Sequence, residues 1–164
     1  MMSRHRRYDS PAQEAYLALW RCYDRVRAIE EELFAEYGIS AQQYNVLRLL
    51  KASHPQAVPT TVLVAKLVSR APDMTRMLDK LAERGWLERE RSTADRRTMM
   101  VNITSAGQDL LKKLRDPVRQ VNETQLGHLS ATDLRQLTAL LKKAGAPHEP
   151  PGSHWLEPTD TKES

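Results

Sequence analysis

Two arginine-bearing clusters hold the chemistry open to this sequence. The first is Thr75, Arg76, Asp79 and Lys80; the second is Asp95, Arg96 and Arg97. A guanidinium presents a rigid fork of donors, and the O6 and N7 acceptors of guanine in a major groove are a matching pair. A threonine can donate to a base or phosphate, or offer its methyl to thymine, and a lysine ammonium is a point charge for phosphate. Asp79 follows Arg76 by three positions. On a helix it is therefore expected to hold the guanidinium fork in one orientation and keep it from indiscriminate phosphate pairing. Arg70, just ahead of that helix, and Pro72, suited to its first turn, would gather a cation and free backbone N–H groups at one end. Arginines at a polar loop suit the negative potential of a narrow minor groove, and Asp95 beside them either closes the turn or buttresses an arginine. On an isolated helix the first cluster would equally make an ordinary solvated face. Its pairing with the second cluster moves the reading to nucleic acid.

The elements that position these residues follow from periodicity and caps. From Pro11, the residues Tyr16, Leu19, Tyr23, Val26, Leu33 and Tyr37 recur mostly three or four apart, and Gly38 follows as a cap. This predicts a long amphipathic first helix over residues 11–38. Ser40 with Gln43 has capping-box spacing, predicting a second helix from Ala41 to about Ala52. Thr60 is placed to cap a short third helix with Leu63 and Leu67 facing inward. In the fourth, Met74, Met77, Leu78 and Leu81 make a half-buried stripe ended by Gly85, which leaves Thr75, Arg76, Asp79 and Lys80 on the other side. Trp86 to Arg91 and Thr98 to Ile103 read as two strands joined by the polar loop Ser92–Arg97. Thr104 caps a further helix, which Asp116 and Pro117 are expected to kink or restart. Ser130 with Asp133 opens the last helix, which ends at Gly145. The expected fold class is mainly α: a winged helix-turn-helix, three helices plus a two-stranded β wing, flanked by N- and C-terminal dimerisation helices.

The 164 residues suit a single domain, with nine aromatics and six glycines too few for a sheet-rich sandwich. The net charge is +4, and the acids Glu149, Glu157, Asp160 and Glu163 lie in the tail, leaving roughly +7 on residues 1–146. That basic excess favours an anionic partner. Five regions are expected: a flexible basic arm over 1–10, a dimerisation helix over 11–38 and a DNA-binding lobe over 39–104. C-terminal dimerisation helices over 105–146 and a disordered acidic tail over 147–164 complete the layout. The single cysteine, Cys22, excludes an intrachain disulfide framework, and the five scattered histidines have no metal-ligand spacing. No run is long and apolar enough for a membrane span or signal peptide, so a soluble, cytoplasmic protein is expected. Without a nucleophile elbow, phosphate-binding glycine loop or metal motif, no enzyme and no cofactor is expected.

These motifs resemble those of the MarR family of bacterial winged-helix transcription regulators. The wing pattern D-x-R-x-x-x-V-x-L-T is met by Asp95, Arg97, Val101, Ile103 in place of Leu, and Thr104, with Gly107 continuing it. Residues Pro72 to Leu81 are similar to the P-D-[MI]-T-R-L-L-D-[RK]-L version of the recognition helix. The resemblance spans roughly residues 12–145. It implies a homodimer whose first and last helices interlock, Thr75 and Arg76 in the base-reading helix, and Arg97 as the wing arginine with Asp95 as its support. Arg96 shares the minor-groove role in this reading. A two-fold dimer implies a pseudo-palindromic double-stranded operator with half-sites ~34 Å apart. Family habit implies a repressor modulated by a small lipophilic or phenolic effector. Trp20, Tyr23 and Tyr44 either line such a crevice or form helix–helix core, so no effector site is assigned. Two alternatives stand beside this reading: a protein–protein interaction module, and a one-cysteine redox-sensing regulator acting through Cys22.

Overall fold

The computed structural model describes residues 8–68, 73–151 and 153–156. The elements run α1 (Pro11–Glu36), α2 (Ala41–Ser53), β1 (Val58–Pro59), α3 (Thr60–Ala65), α4 (Met74–Glu83), β2 (Leu87–Arg91), β3 (Met99–Ile103), α5 (Ser105–Leu126) and α6 (Ala131–Gly145). Two 3-10 turns follow, Ala146–His148 and His154–Leu156. The mainly helical winged helix-turn-helix expected from sequence is the architecture observed.

Local signals set most boundaries. Ser10 caps α1 by accepting from the Gln13 N–H, with Pro11 at the first turn. The chain leaves α1 through Gly38 at φ +63°, a left-handed conformation that strains any residue with a Cβ. Both halves of the capping box are present at Ser40 and Gln43, and again at Ser130 and Asp133. Thr104 accepts from the Gly107 N–H and donates to the Gly85 carbonyl at 2.6 Å, fastening the start of α5 to the end of α4. Gly107 lies against the Trp86 carbonyl and the Ile103 side chain, so closely that a Cβ there would clash with the backbone.

The core lies inside the lobe. Val46, Leu47 and Leu50 from α2, Leu63 from α3, Leu78 and Leu81 from α4, Val101 and Ile103 from β3, and Leu114 from α5 are essentially inaccessible to solvent. The strand alternation is as the sequence predicts, with Val101 and Ile103 more buried than Met100 and Asn102.

Three features differ from the sequence expectation. The sheet has three strands in the order β1-β3-β2, because Val58 pairs with Val101 and Pro59 with Met100. Pro59 is tolerated on that edge strand, where its missing N–H costs no ladder bond. Thr60 does not cap α3: its hydroxyl donates instead to the Met99 carbonyl at 3.1 Å, binding α3 to β3. Of the two outcomes expected at Pro117, a kink or a restart, the restart does not form: α5 continues through it for 22 residues. The carbonyl that loses its donor belongs to exposed Lys113, where water can satisfy it, and Asp116 pairs with Arg119 at 3.3 Å rather than capping a new helix. After Gly145 the described residues include two short 3-10 turns. Ser153 there donates to Glu149 at 2.6 Å and accepts from the Trp155 N–H.

Candidate nucleic-acid interface

The interface is built from α4 and the β2–β3 hairpin. Helix α4 buries Met74, Leu78 and Leu81 and half-buries Met77. This fixes its rotation and leaves Thr75, Arg76 and Lys80 exposed. Asp73 caps the helix by accepting from the Arg76 N–H at 3.2 Å. The Arg76 side chain is 73% exposed and touches the same carboxylate only at 4.0 Å. The Arg76 guanidinium is therefore projected into solvent by a helix whose opposite face is anchored.

The expected support of Arg76 by Asp79 is not what forms. Asp79 pairs with Arg89 of β2 at 2.5 Å, and Asp73 is the carboxylate beside Arg76. Asp79, partly buried next to Leu78, reaches Arg89 of β2, while the capping carboxylate of Asp73 is the one nearer Arg76. Arg70 and Pro72 lie outside the described residues.

At the wing, Asp95 closes the turn. One carboxylate oxygen accepts from the Arg97 N–H at 3.0 Å and the other from the Thr98 hydroxyl at 2.9 Å. The Arg97 backbone hydrogen bond, then that of Thr98, holds the Asp95 carboxyl below its ordinary pKa. Ser92 accepts from the N–H groups of Ala94 and Asp95, and Arg91 donates to the Arg96 carbonyl at 2.8 Å. Asp95 thus supports Arg97 through its backbone rather than its guanidinium. Among the described residues neither Arg96 nor Arg97 is engaged by a carboxylate, and both are exposed.

Two joints escape a reading by local pattern. One is Asp79–Arg89; its only trace in sequence is that Leu87, Arg89 and Arg91 share one face of a strand. The other is a polar cluster at the end of α2, where His54 meets Asn102 of β3 and Gln108 of α5 at 3.4 Å each and Asn102 donates to the Pro55 carbonyl at 3.0 Å.

Of the aromatics weighed for an effector crevice, Tyr44 is half-buried against Phe34, with ring centroids 4.9 Å apart. Trp20 and Tyr23 are exposed in the protomer rather than packed as core, and Cys22 between them is exposed as well. No helix among the described residues is long and apolar enough to cross a membrane.

A sequence model described as the MarR family matches residues 39–99, from just before α2 to the first residue of β3. A MarR transcription factor from Planctomyces limnophilus is 51% identical, with a TM-score of 0.67 over 83% of this chain and 98% of that one. The transcriptional repressor MprA of Escherichia coli K12 is 27% identical over 143 residues, 86% of this chain and 80% of that protein. Sco3205, a MarR family regulator from Streptomyces coelicolor solved in complex with DNA, shares the fold at a TM-score of 0.80 over 94% of this chain and 100% of its own, at 15% identity. With a relative at half identity matched along nearly its whole length, this chain belongs to the MarR family of winged-helix transcription regulators.

Proposed function

We propose that the protein is a homodimeric, sequence-specific DNA-binding repressor of transcription that works in the cytoplasm and catalyses no reaction. The observation that carries this reading is the rotation of α4. Its apolar stripe is locked into the core, so Thr75, Arg76 and Lys80 face outward from the first two turns, and the hairpin tied to this helix by Asp79–Arg89 carries Arg96 and Arg97 at its exposed tip. In this arrangement Thr75 and Arg76 read base edges, Lys80 pairs with phosphate, and Arg96 and Arg97 enter a minor groove with the turn set by Asp95. Arg70 and Pro72 belong to the same surface by their place in the sequence. The repressor named among the relatives supports the sign of regulation, and the family supports release by a small lipophilic or phenolic effector.

Selection of bound duplexes from a random library, followed by titration against salt, tests the reading. A pseudo-palindromic consensus is expected, with log affinity falling against log salt at a slope near about −7 for about eight neutralised phosphates. Recovery of no consensus, or binding indifferent to salt, would overturn it.

A further inference from the structure

Among the described residues, four of the five ion pairs join neighbours three or four apart on one helix. The fifth, Asp79–Arg89, joins two elements: the exposed helix α4 and the strand β2 that leads to the wing. Its setting explains why it exists. Leu87 is 3% exposed and inserts into the core, and strand alternation puts Arg89 on the same face two residues further out. The Arg89 side chain is 29% exposed there, partly withdrawn from water, and Asp79 compensates its charge.

Beyond Leu87 no residue of β2 is buried, so apolar packing of this strand ends at its base. The Asp79–Arg89 contact is thus what ties the outer part of β2 directly to α4, while β3 beside it is held to β1 through Val101 and Met100. Past the base, the tip is internally braced by Arg91 on the Arg96 carbonyl and by Asp95 on the Arg97 N–H and the Thr98 hydroxyl. Any rotation at β2 is therefore carried outward to Arg96 and Arg97 instead of being absorbed in the loop.

Resting on the DNA-binding reading above, we propose that Arg89 and Asp79 are positioning residues for recognition. Their contact sets the separation between the helix that reads the major groove and the tip that enters the minor groove, without either residue touching DNA. A half-exposed pair contributes little to folding, but it fixes in advance the geometry that engaging both grooves together requires.

The test uses the full-length protein with Arg89→Gln, Asp79→Asn and the double variant. Readouts are affinity for the selected duplex, the base preferences each variant selects, and the melting temperature. Each single variant is expected to lose about tenfold in affinity, and the double variant no more than either, because all three remove one contact. Preferences at the positions read by Arg76 should persist while the A·T preference at the wing-contacted flanks fades, with melting shifted by about 2 °C or less. Single variants within twofold of wild type, losses that add in the double variant, or losses that track melting overturn the proposal. A wild type that selects no duplex at all overturns the DNA-binding reading and this one with it.

Discussion

The lobe and its flanking helices are built from similar residues and reach opposite ends. Between Ile39 and Ile103 the apolar stripes of α2, α3, α4 and β3 meet each other and close a core. Helix α1 buries only Phe34, near its C-terminal end, and α6 buries nothing. Tyr16, Leu19, Trp20 and Tyr23 on α1 and Leu140 and Leu141 on α6 remain exposed, in the amphipathic pattern that elsewhere in the chain becomes core. Helix α5 spans the two regimes: Leu110, Leu111 and Leu114 enter the lobe core, while its second half has none buried. The contrast separates a unit that closes its own core from one whose apolar faces stay open, and exposed faces of this extent mark interfaces, in keeping with the proposed homodimer.

The largest effect expected from this contrast is on assembly. In a two-fold dimer each substitution acts twice, so Trp20→Glu combined with Leu140→Glu should weaken self-association by at least ~3–6 kcal/mol. Sedimentation velocity should then show a monomer whose lobe keeps its sheet and helix signals by circular dichroism. A variant that remains dimeric would place the interface elsewhere, and a monomeric wild type would erase the distinction between the two regions.

Next in size is the lobe core. Leu47 is wholly buried in α2, and Leu47→Ala should lower the free energy of unfolding by ~2–5 kcal/mol in urea titration, through lost transfer energy and the cavity left behind. Leu141→Ala, at a position 42% exposed in the protomer, should have a smaller effect that depends on protein concentration. Equal and concentration-independent losses would mean that α6 is stabilised within one chain.

The same contrast governs what the sequence could reveal. Signals carried within one turn of helix were legible: the Ser40–Gln43 and Ser130–Asp133 boxes, the Gly38 exit, the Thr104 cap and the α4 stripe all appear where spacing puts them. What failed needed a distant partner. Two residues, Val58 and Pro59, carry no strand periodicity and pair only because β3 is beside them. Thr60 found an acceptor in Met99 that outcompeted the local cap, and Asp79 found Arg89 ten positions on rather than Arg76 at helical spacing. At Pro117 the intrinsic cost of the ring suggested a kink or a restart, and the helix passes through without restarting. Trp20 and Tyr23 were weighed as core because their pattern is core-like; the surface that would cover them is absent from a single protomer.

On the DNA-facing side the expected effects are smaller and divide by role. Arg76→Ala should cost ~1–3 kcal/mol on the selected duplex and relax preference at the base it reads. Lys80→Ala should weaken all duplexes alike and reduce the magnitude of the salt slope by about one. Fluorescence anisotropy on selected and scrambled duplexes at several salt concentrations separates the two. Identical losses on both duplexes would merge the reader and the phosphate contact into one electrostatic surface.

The smallest effect is confined to the wing turn. The Asp95 carboxyl is held below its ordinary value of 3.8, chiefly by the Arg97 N–H and then by the Thr98 hydroxyl. A carboxylate whose pKa is depressed by folding stabilises the ordered form above the unfolded value, and that contribution is lost as pH falls through the lower, folded value. The turn should therefore be indifferent to pH across the neutral range and loosen only below about 3.8. The Arg97 amide and Thr98 resonances report this in an NMR titration, while core methyl resonances of Leu47 and Leu78 record global unfolding separately. Asp95→Asn, which keeps an acceptor oxygen but removes the charge, should shift the Arg97 amide at neutral pH in the direction that acid shifts it in the wild type. If the wild-type signals already move between pH 6 and 5, a group other than Asp95 sets the turn. The wing would then be ordered by contacts beyond its own residues, as the flanking helices are.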